Sequence, residues 1–213
     1  MKEKFILLIS LLVLVVSCDK TPKVNYKYSD QPDLYDCSEI QEMELIKESV
    51  YAFESFIVNN YAFRHPGDVE KAYINFLRNA ESNLIPMAEL FDDHMKAIVS
   101  QLKNTDNLWV HNGEEFKFNF QHPLAKCIGN NLDNDQFKSV YNALVSSNTY
   151  KTTLVAPSIR EQAYYLNLDR ALTTLVAMDM FYSKVMELDL SLSKEELSEQ
   201  IRRINEEHVG HNH

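Results

Sequence analysis

The segment LDRALTTLVAMDMFYSKVMEL, residues 168–188, is apolar on nearly every side when wound as a helix. A helix of that kind has no solvent face and belongs at the centre of other helices. This limits the fold more than any other stretch, because the rest of the chain must supply amphipathic helices to wrap it. One residue breaks the pattern. At helical spacing Asp179 falls with Leu172, Leu175, Val176, Tyr182 and Met186, in the middle of the apolar surface. A buried carboxylate has to be paired or hydrogen-bonded, so a tyrosine, an arginine or a histidine is expected beside it.

The wrapping helices are legible from a 3.6-residue period. Ser38 and Gln41 read as a capping box for a first helix with the stripe Met43, Ile46, Val50, Phe53 and Ile57. A second carries Val69, Ala72, Tyr73, Phe76, Leu77 and Ala80 on one face. A third is expected from Pro86, since proline suits a first helical turn, with the stripe Met87, Phe91, His94, Ile98 and Leu102. Phe116, Phe118 and Phe120 alternate instead, which predicts a short extended segment near 114–120. Helical signals return at Phe137, Val140, Tyr141 and Leu144, and again after Pro157. Ser193 and Glu196 cap a last helix through Leu197, Ile201 and Ile204. The expected fold is all-α, an irregular bundle of about six helices.

Few catalytic chemistries fit these residues. The four glycines, Gly67, Gly113, Gly129 and Gly210, build no phosphate-binding loop and no nucleophile elbow. No histidine follows an acidic residue at the three-residue spacing of di-iron bundles, and no H-E-x-x-H occurs. A candidate buried polar site remains: Asp179, His94 within the third stripe, and Glu54 at the edge of the first. It reads either as an acid–base or ligand-holding pocket or as a satisfied core network. No catalytic residue is assigned, and the leading expectation is a non-catalytic binding or interaction module. An enzyme centred on Asp179, His94 and Glu54 is one rival. The other is a metal protein that holds Zn²⁺ or Cu²⁺ with His208, His211 and His213 of the tail, beside Glu206 and Glu207. No further cofactor is implied. A net charge of −10 argues against nucleic acid as a partner. Trp109, in DNLWVHNGEEF, is either part of a recognition surface or a cap on the core.

The N-terminus speaks to location. Lys2 and Lys4 precede an apolar run from Phe5 to Val16, too short to span a bilayer, which takes about 20 residues, but suited to an export signal. The Ser17–Cys18 junction after that run resembles the lipobox of bacterial lipoproteins. The resemblance implies lipid attachment at the Cys18 thiol and cleavage just before it. Residues 1–17 are then a signal peptide and 18–36, with Pro22 and Pro32, a flexible tether. Residues 37–207 form the helical domain and 208–213 a loose histidine-rich tail. The lipobox, the YKYSDQP tether and the DCSEI helix start with YAFE inside it resemble uncharacterised helical lipoproteins of Bacteroidota. That likeness implies a helical fold and a cell-envelope location, joined to the membrane by the lipid; the expected partner is an envelope protein or a small ligand, its identity left open. It brings no catalytic residues. Lys20, Lys23 and Lys27 stand where surface-exported members carry acidic runs, which points to the outer membrane, facing the periplasm.

With Cys18 lipidated, Cys37 and Cys127 are the two remaining thiols in a compartment that permits disulfides. They are expected to be bridged, Cys37 just before the first helix and Cys127 in a turn at PLAKCIGN. The alternative is two separate buried thiols.

Overall fold

The computed structural model describes residues 23–62, 66–81, 84, 86–112, 115–166 and 168–210. Cys18, the signal segment 1–17, His211 and His213 lie outside them. Among the described residues the fold is all-α, eight helices with one two-stranded hairpin.

The first helix, α1 (Met43–Tyr61), begins four residues later than the Ser38 capping box predicts. Residues before it are held in turns instead. The Ser38 amide donates to Asp36 Oδ1 and the Ile40 amide to the Cys37 carbonyl. The cysteine itself is bridged to Cys127, with a Cα separation of 6.1 Å that suits a disulfide. α2 (Val69–Glu81) follows the predicted stripe, with Ala72, Tyr73, Phe76 and Leu77 buried against α1. The third helix does not start at Pro86. A short 3₁₀ turn, Ala88–Leu90, comes first, Phe91 is extended, and α3 runs Asp93–Lys103. Asp92 decides this start: its side chain accepts the Met95 amide at 2.8 Å, a strong N-cap that proline cannot provide.

The extended segment is half of an antiparallel hairpin, β1 (Trp109–Asn112) paired with β2 (Glu115–Phe118), Trp109 opposite Phe118. Trp109 caps the core. Its indole N–H donates to the Leu102 carbonyl at 2.7 Å and its ring meets Phe118 edge-on. α4 (Pro123–Asn131) and α5 (Asp135–Ser146) then pack closely. A Cβ at Gly129 would collide with the side chains of Asn142 and Tyr141, so glycine is needed for that approach. Cys127 sits inside α4, not in a turn. α6 (Thr152–Glu161) contains Pro157 rather than following it.

The central segment is one continuous helical rod. α7 starts as Arg170–Val176, passes through a π segment, Ala177–Tyr182, and closes with the turn Ser183–Val185. The Ser183 amide reaches back to the Met178 carbonyl, the i to i−5 bond of a π turn. Asp169 caps the rod by accepting the Leu172 amide, and its second oxygen accepts the Asp133 amide, tying the rod to the α4–α5 junction. Phe181 is the hub of an aromatic core. Its ring lies 5.0 Å from Phe53, 5.4 Å from Phe56, 6.0 Å from Phe76 and 5.8 Å from Phe91. Such edge-on and tilted contacts are the favoured geometries for aromatic pairs.

The last helix, α8 (Lys194–Gly210), opens on the expected capping box: the Ser193 amide donates to Glu196 and the Glu196 amide to Ser193 Oγ. Its backbone remains helical through Gly210, so residues 208–210 are not the start of the loose tail expected.

Residues 23–36 are not a tether either. Val24 and Leu34 are buried. The Tyr51 hydroxyl donates to the Pro32 carbonyl, the Tyr28 ring stacks on Tyr51, and Lys47 donates to the Ser29 carbonyl. Charge and proline suggested flexibility, but two apolar anchors and this hydrogen bonding fix the segment across α1 as a strap.

Candidate functional site

The three residues of the predicted polar site occupy three separate networks. Asp179, on the π segment, accepts the Tyr150 hydroxyl at 3.0 Å, and the single Thr152 hydroxyl lies 2.9 Å and 3.1 Å from its two oxygens. Among the described residues no cation pairs with it. Burial pushes its carboxyl up to about 6, against the lowering effect of the Thr152 and Tyr150 hydrogen bonds and of the charge on Lys184. Tyr150 is held in place by Phe120, stacked at 3.7 Å, and by Tyr141 at 5.7 Å. Its own hydroxyl is pushed well above the ordinary tyrosine range by burial and by the charge of Asp179. The arrangement is a hydroxyl-capped carboxylate that joins the α5–α6 junction to the central rod.

Glu54 faces Arg170, whose guanidinium donates to both carboxylate oxygens at 3.1 to 3.3 Å. The Tyr73 hydroxyl also donates to Glu54, and the guanidinium lies 4.5 Å over the Tyr51 ring. This network clamps α1, α2 and α7 together, and its bidentate, partly buried geometry is the form in which an ion pair contributes most.

His94 meets neither of the other two. Its Nε2 lies 2.8 Å from Glu48 Oε1, a close polar approach without an aligned hydrogen bond. Glu48 was not foreseen. It lies off the apolar stripe of α1, on a face the strap covers, and is almost fully buried. Its two oxygens accept the backbone amides of Lys27 at 2.6 Å and Tyr28 at 2.9 Å. A carboxylate receiving two amides is a strong charge-assisted anchor, and here it holds the strap. The only sequence hints were Val24 and Leu34, apolar residues in a stretch otherwise read as tether.

Between the strap and the first half of α1 lies an open groove of about 800 Å³. Tyr26, Tyr28 and Tyr35 line it together with Asp33, Asp36 and Glu44; Lys47 and the bridged Cys37 also line it. The Tyr35 hydroxyl is buried beside Thr174 and Asp169 without an aligned hydrogen bond. The volume falls in the range of small-molecule sites, about 300–1,000 Å³.

Compared with family models, with curated proteins and with solved structures, the chain matches none. Its function has to be argued from the groove and the clusters themselves. Among the described residues no three His, Cys, Asp or Glu side chains converge to hold a metal ion. Of the histidine set, His208 has a helical backbone at the end of α8, and His211 and His213 lie outside the described residues. Asp179 and Glu54 are each engaged by their own partners, in networks that join helices rather than open onto a cleft.

Proposed function

We propose that this chain is a lipid-anchored, non-catalytic binding module of a bacterial cell envelope, and that the groove beneath the strap is its binding site. The observation that carries the reading is the position of the groove along the chain. Its first lining residue, Tyr26, comes eight residues after Cys18. At no more than about 3.6 Å per residue, that places the groove within about 30 Å of a lipid on Cys18. Cysteine, strap and groove then form one unit: the lipid holds the chain, the strap docks on α1, and a ligand sits near the membrane surface. The lysines that follow Cys18 favour the outer membrane with the domain facing the periplasm. The acidic surface favours partners other than nucleic acid.

Two measurements test this. Cells fed a tagged fatty acid should label the wild type and not Cys18→Ser; equal labelling of both would remove the anchor. Hydrogen exchange of the full chain, with and without an envelope small-molecule extract, should gain protection in the amides of residues 26–48. Protection confined to the Asp179 or Glu54 networks would move the site away from the groove.

A further inference from the structure

We infer that the groove selects a small organic cation, an ammonium or guanidinium compound, in preference to neutral or anionic ligands. This rests on the groove being the binding site. The carboxylates along it outnumber the cations, and most of the pairing is already spent. Lys47 donates to Asp33 and to the Ser29 carbonyl at 3.0 Å each. Glu48 is taken up by the strap amides and His94. That leaves Glu44, on the helix wall, and Asp36, on the strap wall, without an ion-pair partner among the described residues. An anion entering here would meet two carboxylates without an ion-pair partner and, among the described lining residues, no cation that is not already paired.

The rings supply the second half of the site. Tyr26 is 39% exposed, a large side chain left open at the groove's rim. Tyr28 leans one face on Tyr51, and Tyr35 lies deeper. Aromatic faces beside carboxylates attract cations through the ring quadrupole and the charge together. The negative potential is felt at the rim, where the Tyr26 hydroxyl is raised by burial first and then by Glu44 and Glu48. The chain's net charge of −10 draws cations toward it from a distance. The same walls do not converge as metal ligands do, which points to an organic cation and not a divalent metal ion.

The probes are spermidine, a free polyamine, and choline, the quaternary group a lipid would present, with glucose and malonate as neutral and anionic controls. Calorimetry on the full chain in neutral detergent should show saturable binding of spermidine or choline, weakened by added salt. Whichever binds identifies the source of the cation. Glu44→Gln and Tyr26→Ala, both at exposed positions, should each weaken it by about fivefold, the size of one cation–π or screened charge contact. Glu199→Gln, on the exposed face of α8, should leave it unchanged, and an equal loss there would mean non-specific condensation and overturn the inference. Glucose or malonate protecting the amides of 26–48 while both cations fail would overturn the cation preference and keep the groove as the site. If neither these probes nor the envelope extract protects those amides, the groove itself is refuted.

Discussion

Replacing Asp179 by asparagine should stabilise this protein at neutral pH, although it removes a buried charge that accepts two hydroxyl groups. The reason is the proton. Asp179 has an ordinary carboxyl value of 3.8 in the unfolded chain and about 6 in the folded one. Between those values the folded state binds more protons than the unfolded state, so stability falls as pH rises from about 4 to about 6 and is level above that. At about 1.36 kcal/mol per unit, ionised Asp179 costs the fold about 3 kcal/mol at pH 7.5. Asparagine resembles the protonated acid, and the Tyr150 and Thr152 hydroxyls can rotate to meet its oxygen and its amide group. In urea unfolding followed by circular dichroism, Asp179→Asn should gain up to about 3 kcal/mol over wild type at pH 7.5 and only about 0.5 kcal/mol at pH 4. Asp169 and Glu187 are also raised by burial, so the difference between the two proteins is the quantity to read. Asp179→Ala should fall about 1–3 kcal/mol below Asp179→Asn at every pH, because it leaves the half-buried Tyr150 and Thr152 hydroxyls without their acceptor. A wild-type-minus-asparagine difference that stays constant between pH 4 and 7.5 would refute the argument.

The remaining predictions concern the strap and the helix contacts. Cys37→Ser opens a bridge across 90 residues of sequence, for which the chain-entropy model gives roughly 4–5 kcal/mol; thiol titration of the denatured, unreduced wild type should find neither Cys37 nor Cys127 free. Glu48→Gln weakens two charge-assisted bonds and should cost about 1.5–3 kcal/mol. The Lys27 and Tyr28 amides should then exchange fast while those of α7 stay protected, and unchanged protection of the strap would show that Glu48 does not hold it. Gly129→Ala forces α4 and α5 apart and should lower stability by about 1–3 kcal/mol, read as a fall in Tm, whereas an unchanged Tm would mean that Asn142 simply swings aside.

Much of the architecture is legible along the chain because helical period and capping are local properties. The faces of α1, α2 and α8 follow from side chains three and four residues apart, as does that of α5 at Phe137 and Tyr141, though Val140 is 49% exposed, and the Ser193–Glu196 box needs nothing beyond its own turn. The burial of Asp179 follows likewise from its neighbours on one helix face. Its partner does not. Tyr150 lies 29 residues away, Arg170 meets Glu54 across 116, and Lys27 meets Glu48 across 21. Which polar group ends beside which carboxylate depends on how helices cross, and that is settled by packing over the whole core. The same holds for the strap, whose two apolar residues count for little until α1 offers them a surface. It holds too for the π segment, since the chain can close either an i−4 or an i−5 bond there. Local preference separates these by little, so the fit of Phe181 among rings from α1, α2 and the segment before α3, together with the hydroxyls waiting for Asp179, selects the wider turn.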